Sequence, residues 1–310
     1  MTSGLVAVTG GTGFLGRRIV EHLLSTGRGV RVLARDPTNA EGWRRGVPVV
    51  IDGSLDDAKA LSRLVDDVEA VIHVAGLIKA HDRSEFFAVN ENGTRQVALA
   101  CKGRRLIHVS SLAAREPSLS DYAASKLAGE LAIKQVGCSA ATIVRPPVVY
   151  GPGDRETLAL FQAARRGVVP VPGDRRARLA LADADDVAEV VVDLIDVPRP
   201  PPMITIGGDR PLGYEWSEIV AAAARAVGSK AAAVAVPPWA MTLAGGAVEL
   251  LDGWLGRTPI FTRGKAREAA HRDWSVSRSE EGITAERRYK GLDAGFARTV
   301  AWYRAAGWLD

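Results

Sequence analysis

Thr9-Gly10-Gly11-Thr12-Gly13-Phe14-Leu15-Gly16 follows the apolar run Leu5-Val6-Ala7-Val8 and opens an amphipathic stretch, Phe14–Leu24. A strand that passes at once into a helix needs a tight turn. A pyrophosphate lying on that turn needs backbone without Cβ atoms in the way. Gly10, Gly13 and Gly16 meet both needs, and they let the helix pack close on the strand with its first N–H groups toward the phosphates. A glycine-rich turn with no ligand is the alternative. The position of the string, after a strand and at the head of a helix, is what phosphate binding requires.

Outward from this loop, short apolar runs alternate with helical stretches. The runs are Leu5–Val8, Val30–Leu33, Val47–Ile51, Ala70–Val74, Leu106–Val109 and Ala141–Val144. Between them lie Phe14–Leu24, Asp57–Leu64, Arg83–Ala100 and Tyr122–Gln135. Continuous apolar strands separated by helices predict an α/β fold, a doubly wound parallel sheet covered by helices on both faces. Arg145-Pro146-Pro147 ends this regime, and Pro and Gly thicken after it. A further strand (Met203–Ile206) and an amphipathic helix (Tyr214–Val227) follow. Residues 1–145 therefore read as a dinucleotide-binding domain. Residues 146–310 read as a smaller substrate-binding cap, interleaved with the first.

Composition bounds the partners. The chain has 310 residues, 47% hydrophobic and 25% charged, enough for a sizeable core and too apolar for wholesale disorder. Lys+Arg 40 against Asp+Glu 36 leaves a formal charge of +4, which does not point to nucleic acid. Two cysteines, Cys101 and Cys138, and five scattered histidines offer neither a disulfide framework nor a metal set. The chain begins on a strand without a basic and apolar leader and holds no spanning apolar stretch, so a cytoplasmic protein is expected.

The strand Val30–Leu33 ends in Ala34-Arg35-Asp36-Pro37. Arg35 is the first polar residue past the run, and a guanidinium suits a ribose 2′-phosphate, so NADP (NADPH) is expected over NAD. Asp36 could serve the ribose hydroxyl instead, although Pro37 turns it away. Ser110-Ser111 closes the fifth strand, and Tyr122-Ala123-Ala124-Ser125-Lys126 opens the helix after it. At i,i+4 spacing Tyr122 and Lys126 share a face. A phenol with an ordinary pKa near 10 is a poor base at neutral pH, and an ammonium beside it lowers that value. Tyr122 is then a general acid/base for a carbonyl/alcohol pair, Lys126 tunes it, and Ser111 holds the substrate oxygen. The alternative is a polar pair decorating a solvated helix face.

The chain resembles the extended short-chain dehydrogenases/reductases along essentially its whole length. The matching pieces are Thr9–Gly16, Val71-Ile72-His73-Val74-Ala75-Gly76, Val89-Asn90-Glu91-Asn92-Gly93-Thr94, His108-Val109-Ser110-Ser111, Tyr122…Lys126 and Arg145-Pro146-Pro147-Val148-Val149-Tyr150-Gly151-Pro152-Gly153. The resemblance implies a Rossmann-type fold in which Gly10, Gly13, Phe14, Leu15 and Gly16 hold the pyrophosphate. Ser54 and Leu55 would flank the adenine, where many relatives carry Asp-Leu. Ala75 and Gly76 would line the ribose side, and Pro146 and Val148 would face the nicotinamide. Asn90 would sit behind the site. For His73, His108, Arg145 and the cysteines a packed or satisfied side chain is the expectation.

Three functions fit such a chain: a ketone/alcohol oxidoreductase acting on a lipid, a nucleotide-sugar epimerase or dehydratase, and a cofactor-bound structural subunit. Sugar dehydratases of this family place Asp-Glu after the Ser/Thr; Leu112-Ala113 stands there instead. Arg175, Arg176 and Arg178 could clamp an epimerase's diphosphate, but a run of arginines is more often a solvated loop. Ser111, Tyr122 and Lys126 are all present, which weighs against a purely structural role. The segment Val234–Leu243 is apolar nearly all round, and Ala247-Val248, Leu250-Leu251, Trp254-Leu255 and Ile260-Phe261 follow at roughly helical spacing. This is either the core of the cap or a greasy wall or interfacial helix, residues 234–261, in peripheral contact with the inner face of the membrane. Arg257, Arg263, Lys265 and Arg267 nearby would favour an anionic leaflet. The layout looks like the branch holding 3β-hydroxysteroid dehydrogenases, the complex I accessory subunit and bacterial reductases of oxidised ceramide. A long-chain keto-lipid is the expected substrate.

Overall fold

The apolar runs become strands β1 (Leu5–Thr9), β2 (Gly29–Ala34), β3 (Val49–Asp52), β4 (Ala70–His73), β5 (Arg105–Val109) and β6 (Ala141–Arg145). A computed structural model describes residues 4–40, 48–101, 103–174, 176–259 and 261–310 of the chain. Val47, Arg175 and Ile260, which figured in the sequence reading, lie outside the described residues. The third strand begins at Val49. The chain forms two units, one of residues 1–145 with 188–204, the other of 146–187 with 205–310.

In the first unit, β1 to β6 pair in parallel, and Met203–Thr205 joins the edge beside β6. The order runs β3-β2-β1-β4-β5-β6, so the chain winds outward from β1 in one direction and then restarts at β4 on its other side. Carboxyl ends of β1 and β4 therefore face a crevice, the place where open α/β sheets bind ligands. Helices α1 (Phe14–Ser25), α2 (Ala58–Leu64), α3 (Arg83–Phe87), α4 (Thr94–Ala100) and α5 (Asp121–Val136) connect the strands. Asp57 caps α2 by accepting from the Lys59 and Ala60 N–H groups, and Ser120 caps α5 by accepting from Ala123 N. Ala7, Leu33, Leu61, Leu64, Val71, Val97, Leu106 and Ile133 interlock in one buried cluster.

The helical pattern of Arg83–Ala100 does not give one helix. Between α3 and α4 a wide π turn, Ala88–Gly93, interrupts it. The extra width has a local cause. Asn90 folds its amide back onto Leu77, accepting from Leu77 N at 2.8 Å and donating to Leu77 O at 3.0 Å. Leu55 presses on Gly93, where a Cβ would come within 2.7 Å of its Cδ1. On the other flank a Cβ at Gly129 of α5 would stand 2.3 Å from Asn90 O. The turn is held between two glycine contacts, as π bulges near functional sites often are.

The second unit carries α6 (Leu158–Arg165), the start of α7 (Ala184–Asp193), α8 (Trp216–Val227), α9 (Pro238–Trp254) and α10 (Arg263–Ala270). The helix expected from Tyr214 starts at Trp216, because Tyr214–Glu215 pairs antiparallel with Arg178–Leu179 and Glu215 then forms a capping box with Glu218. Phe161, Phe296, Tyr150 and Tyr303 stack edge to face in its core. Beside them Arg298 donates to both oxygens of the fully buried Asp183 at 2.6 Å, and Lys290 reaches Asp186 at 2.5 Å. Among the described residues no helix is long and apolar enough to cross a membrane.

Candidate active site

The crevice of the first unit is built by two loops in contact. Gly10 holds φ +73, and a Cβ there would lie 2.5 Å from Ala75 N. A Cβ on Gly16 would lie 2.0 Å from Gly10 O, so only glycine lets α1 approach its own phosphate turn. Gly13 precedes α1 in extended conformation, and no side chain caps the first-turn N–H groups there. Unclaimed donors at a helix head, framed by glycines, fit a dinucleotide pyrophosphate. Gly10, Gly13, Phe14, Leu15 and Gly16 are thereby on one strand–turn–helix, with Ala75 and Gly76 alongside Gly10.

Tyr122 and Lys126 stand one turn apart at the start of α5. Tyr122 is half-buried beside Phe86, ring centroids 6.2 Å apart. Lys126 is buried, and one of its N–H donors goes to Val109 O at 3.0 Å, at the end of β5. Its Nζ lies 3.5 Å from where a Gly76 Cβ would be, which ties the lysine to the β4 loop. Burial lowers the Lys126 pKa to about 8, and the negative charge of Glu130 opposes that fall. The two serines at the end of β5 part company. Ser111 accepts from Ala113 N at 3.1 Å, which leaves its own proton to donate, whereas Ser110 turns inward and donates to Glu130 at 2.5 Å.

Glu130 is the site residue that the sequence reading passed over. Its side chain is buried, and it receives Arg145 through two parallel contacts, 2.8 Å from Nε and 2.6 Å from Nη2. The signal was there in the spacing: 122, 126 and 130 are successive i,i+4 positions. Behind the lysine, Asn90 also donates to Ser125 Oγ at 2.9 Å, which holds α5 to the π turn.

Below this lies a stacked pair of imidazoles, His73 of β4 and His108 of β5, 5.0 Å apart. Thr94 donates its hydroxyl proton to Asn90 O at 2.7 Å, so toward His73 Nε2, 2.9 Å away, it acts as acceptor. His73 therefore carries its proton on Nε2, and Nδ1 accepts from Thr9 Oγ1 at 2.6 Å. Burial, with the Lys126 charge, lowers the His73 pKa to about 3. The same causes push His108 down, and both His108 nitrogens lack a partner among the described residues. His73 is thus packed and satisfied; His108 is packed only. Both rings are neutral, and no second cation competes with Lys126.

The remaining candidates are spread more widely. Arg35 is exposed just past β2. Asp36 is engaged locally, accepting from Thr38 N at 3.0 Å and Thr38 Oγ1 at 2.6 Å, which holds its carboxyl below the usual range. Ser54 donates to Asp56, and Leu55 packs on the core cluster and Gly93, so the Leu55 side chain has a structural role. Pro146 and Val148 belong to the second unit, Pro146 buried and Val148 exposed. Of the arginine run, Arg178 pairs with Glu215 at 3.0 Å, and the Arg176 amide bonds Asp174.

Comparison with known proteins gives a consistent picture. The profile described as "NAD dependent epimerase/dehydratase family" matches residues 6–207. The chain is 46% identical over 314 residues to ceramide reductase of Caulobacter vibrioides, covering 99% of this chain and 96% of that protein. It is 28% identical over 345 residues to sterol demethylase protein B of Methylococcus capsulatus, covering 97% and 99%. The fold resembles that of the Bordetella bronchiseptica enzyme WbmH, solved in complex with NAD+, with a TM-score of 0.75 at 18% identity over 98% of this chain and 99% of the other.

Proposed function

Since the chain belongs to the NAD dependent epimerase/dehydratase family, a group of oxidoreductase- and epimerase-type enzymes, we propose that it is an NADPH-dependent reductase of a long-chain keto-lipid of the oxidised-ceramide class. The observation that carries this reading is the 46% identity to a ceramide reductase along 99% of the chain. Gly10, Gly13, Phe14, Leu15 and Gly16 hold the pyrophosphate, Ala75 and Gly76 line the ribose, and Arg35 takes the 2′-phosphate. Ser54 and Leu55 flank the adenine through their backbone, while Pro146 and Val148 meet the nicotinamide. The nicotinamide supplies the hydride that the carbonyl carbon receives.

Ser111 donates a hydrogen bond to the substrate oxygen and fixes the carbonyl. Tyr122 gives the proton that converts the nascent alkoxide to the alcohol. Lys126 offsets the phenolate charge left behind. It can do so while it is itself protonated, below about pH 8.

The test is oxidation of NADPH by purified protein with 3-keto sphingolipids, oxidised ceramide and 3-ketosteroids beside nucleotide sugars. Turnover of the keto-lipid is expected, and Tyr122→Phe should reduce it at least a thousandfold with NADPH binding intact. Turnover of the sugars alone, or full activity in Tyr122→Phe, would overturn the reading.

A further inference from the structure

Helix α9 is 17 residues long, about 25 Å, and one side of it is covered. Gly245 and Gly246 are buried against the start of α10, where a Cβ on Gly245 would meet Thr262 C at 2.7 Å. Glu249, on the same side, accepts from Arg263 N at 2.8 Å. At about 100° per residue, the opposite side carries Trp239, Leu243, Ala247, Leu250 and Trp254 within an arc of about 80°. Ala244 and Leu251 widen the stripe without adding a polar atom. Trp254 is 84% exposed, Leu250 72%, Trp239 68% and Leu243 67%. A contiguous exposed stripe of this kind marks an interaction surface.

We propose that this stripe lies in the headgroup–acyl boundary of an anionic lipid bilayer, with α9 parallel to the surface. Three observations favour lipid over a protein partner. A protein interface carries about one hydrogen bond per 100–200 Å², and the stripe offers no side-chain donor except the two indoles at its ends. Indoles at both ends of an apolar helix face are what a bilayer boundary takes. The exposed charges next to it that form no ion pair among the described residues are the cations Arg257, which follows the helix, and Arg267 of α10. The acids nearby are turned away: Glu249 is held by Arg263 at 3.6 Å, and Asp252 falls on the covered half of the helix. Apolar area with a cationic fringe matches an anionic leaflet.

The motive for docking rests on the lipid-substrate reading above; the binding itself does not. The test is co-flotation of the full chain with phosphatidylglycerol/phosphatidylcholine vesicles and with pure phosphatidylcholine vesicles. Binding to the anionic vesicles is expected to be at least tenfold stronger and to weaken with salt. Leu250→Glu and Trp254→Glu, both at exposed positions, should each cut it at least tenfold at unchanged Tm. Arg257→Gln with Arg267→Gln should remove the preference for phosphatidylglycerol. No flotation of the native chain, or flotation indifferent to Leu250→Glu, overturns the proposal. So does a dimer at micromolar concentration that Leu250→Glu splits in a chain that does not float. Turnover of keto-lipid in detergent micelles, measured in parallel, separates the two readings. Turnover without flotation removes the docking surface alone, and flotation without turnover removes the lipid substrate alone.

Discussion

Glu130→Gln removes one buried charge and leaves the shape of the side chain. In the native protein the carboxylate, 1% exposed, takes two N–H groups from Arg145 at 2.8 and 2.6 Å and the Ser110 hydroxyl at 2.5 Å. Glutamine can accept at one oxygen only and turns an N–H group toward a guanidinium that has none to receive it. Breaking a buried pair from one side costs about 3–5 kcal/mol, because the partner stays behind uncompensated. Arg145 keeps 15% exposure, so the lower figure, about 3 kcal/mol, applies. That corresponds to a fall in Tm of about 6–12 °C, read by circular dichroism. Arg145→Met alone strands the carboxylate and should cost a similar amount. Together, Glu130→Gln and Arg145→Met remove both charges, so the pair should lose clearly less than the sum. The loss of negative charge also deprives the Lys126 ammonium of its support, and the alkaline limb of turnover should move to lower pH. A loss in Glu130→Gln under about 1 kcal/mol, or strict additivity in the double variant, would refute the argument.

Further outcomes follow from the same geometry. Lys126 titrates near 8 in the folded chain against an ordinary value of 10.5, so between these values the unfolded chain binds the extra proton. Its contribution to stability therefore rises with pH across that window, by on the order of 3 kcal/mol, while turnover falls above about pH 8 as the ammonium is lost. Denaturant titrations of wild type and Lys126→Met from pH 7 to 10.5 should converge, and a constant gap would contradict this. Gly16→Ala, whose Cβ would lie 2.0 Å from Gly10 O, should raise the Kd for NADPH at least tenfold, measured by fluorescence titration. Arg35→Asp should lower the NADPH-to-NADH affinity ratio at least tenfold; an unchanged ratio would remove Arg35 from the cofactor site.

What could be read in advance was local. The strand runs, the glycine turn and the Tyr122–Lys126 spacing all follow from neighbours within a few residues, where periodicity and turn chemistry act directly. Contacts that join distant strands were not legible. Arg145 meets Glu130 from another strand, and the two histidines stack only because β4 and β5 pair in register, His73 opposite His108. The continuous helical pattern of Arg83–Ala100 concealed the π turn, since the residues that widen it, Leu55 and Gly129, come from other elements. Likewise the apolar late segment could be core or surface in the sequence. Its exposure was decided by the two glycines that fix which side α10 covers.

The wide turn at Ala88–Gly93 makes this stretch intolerant of a change in length. Excising one residue there would let the segment relax into an ordinary helix, and everything after it would be rotated by about 100°. Thr94 would swing off His73, Asn90 would lose Leu77, and the tautomer recorded in the sheet would have no anchor. Insertions and deletions between α3 and α4 are thus expected to be lethal to the fold in proportion to phase rather than to bulk, a constraint that no count of apolar residues in the segment expresses.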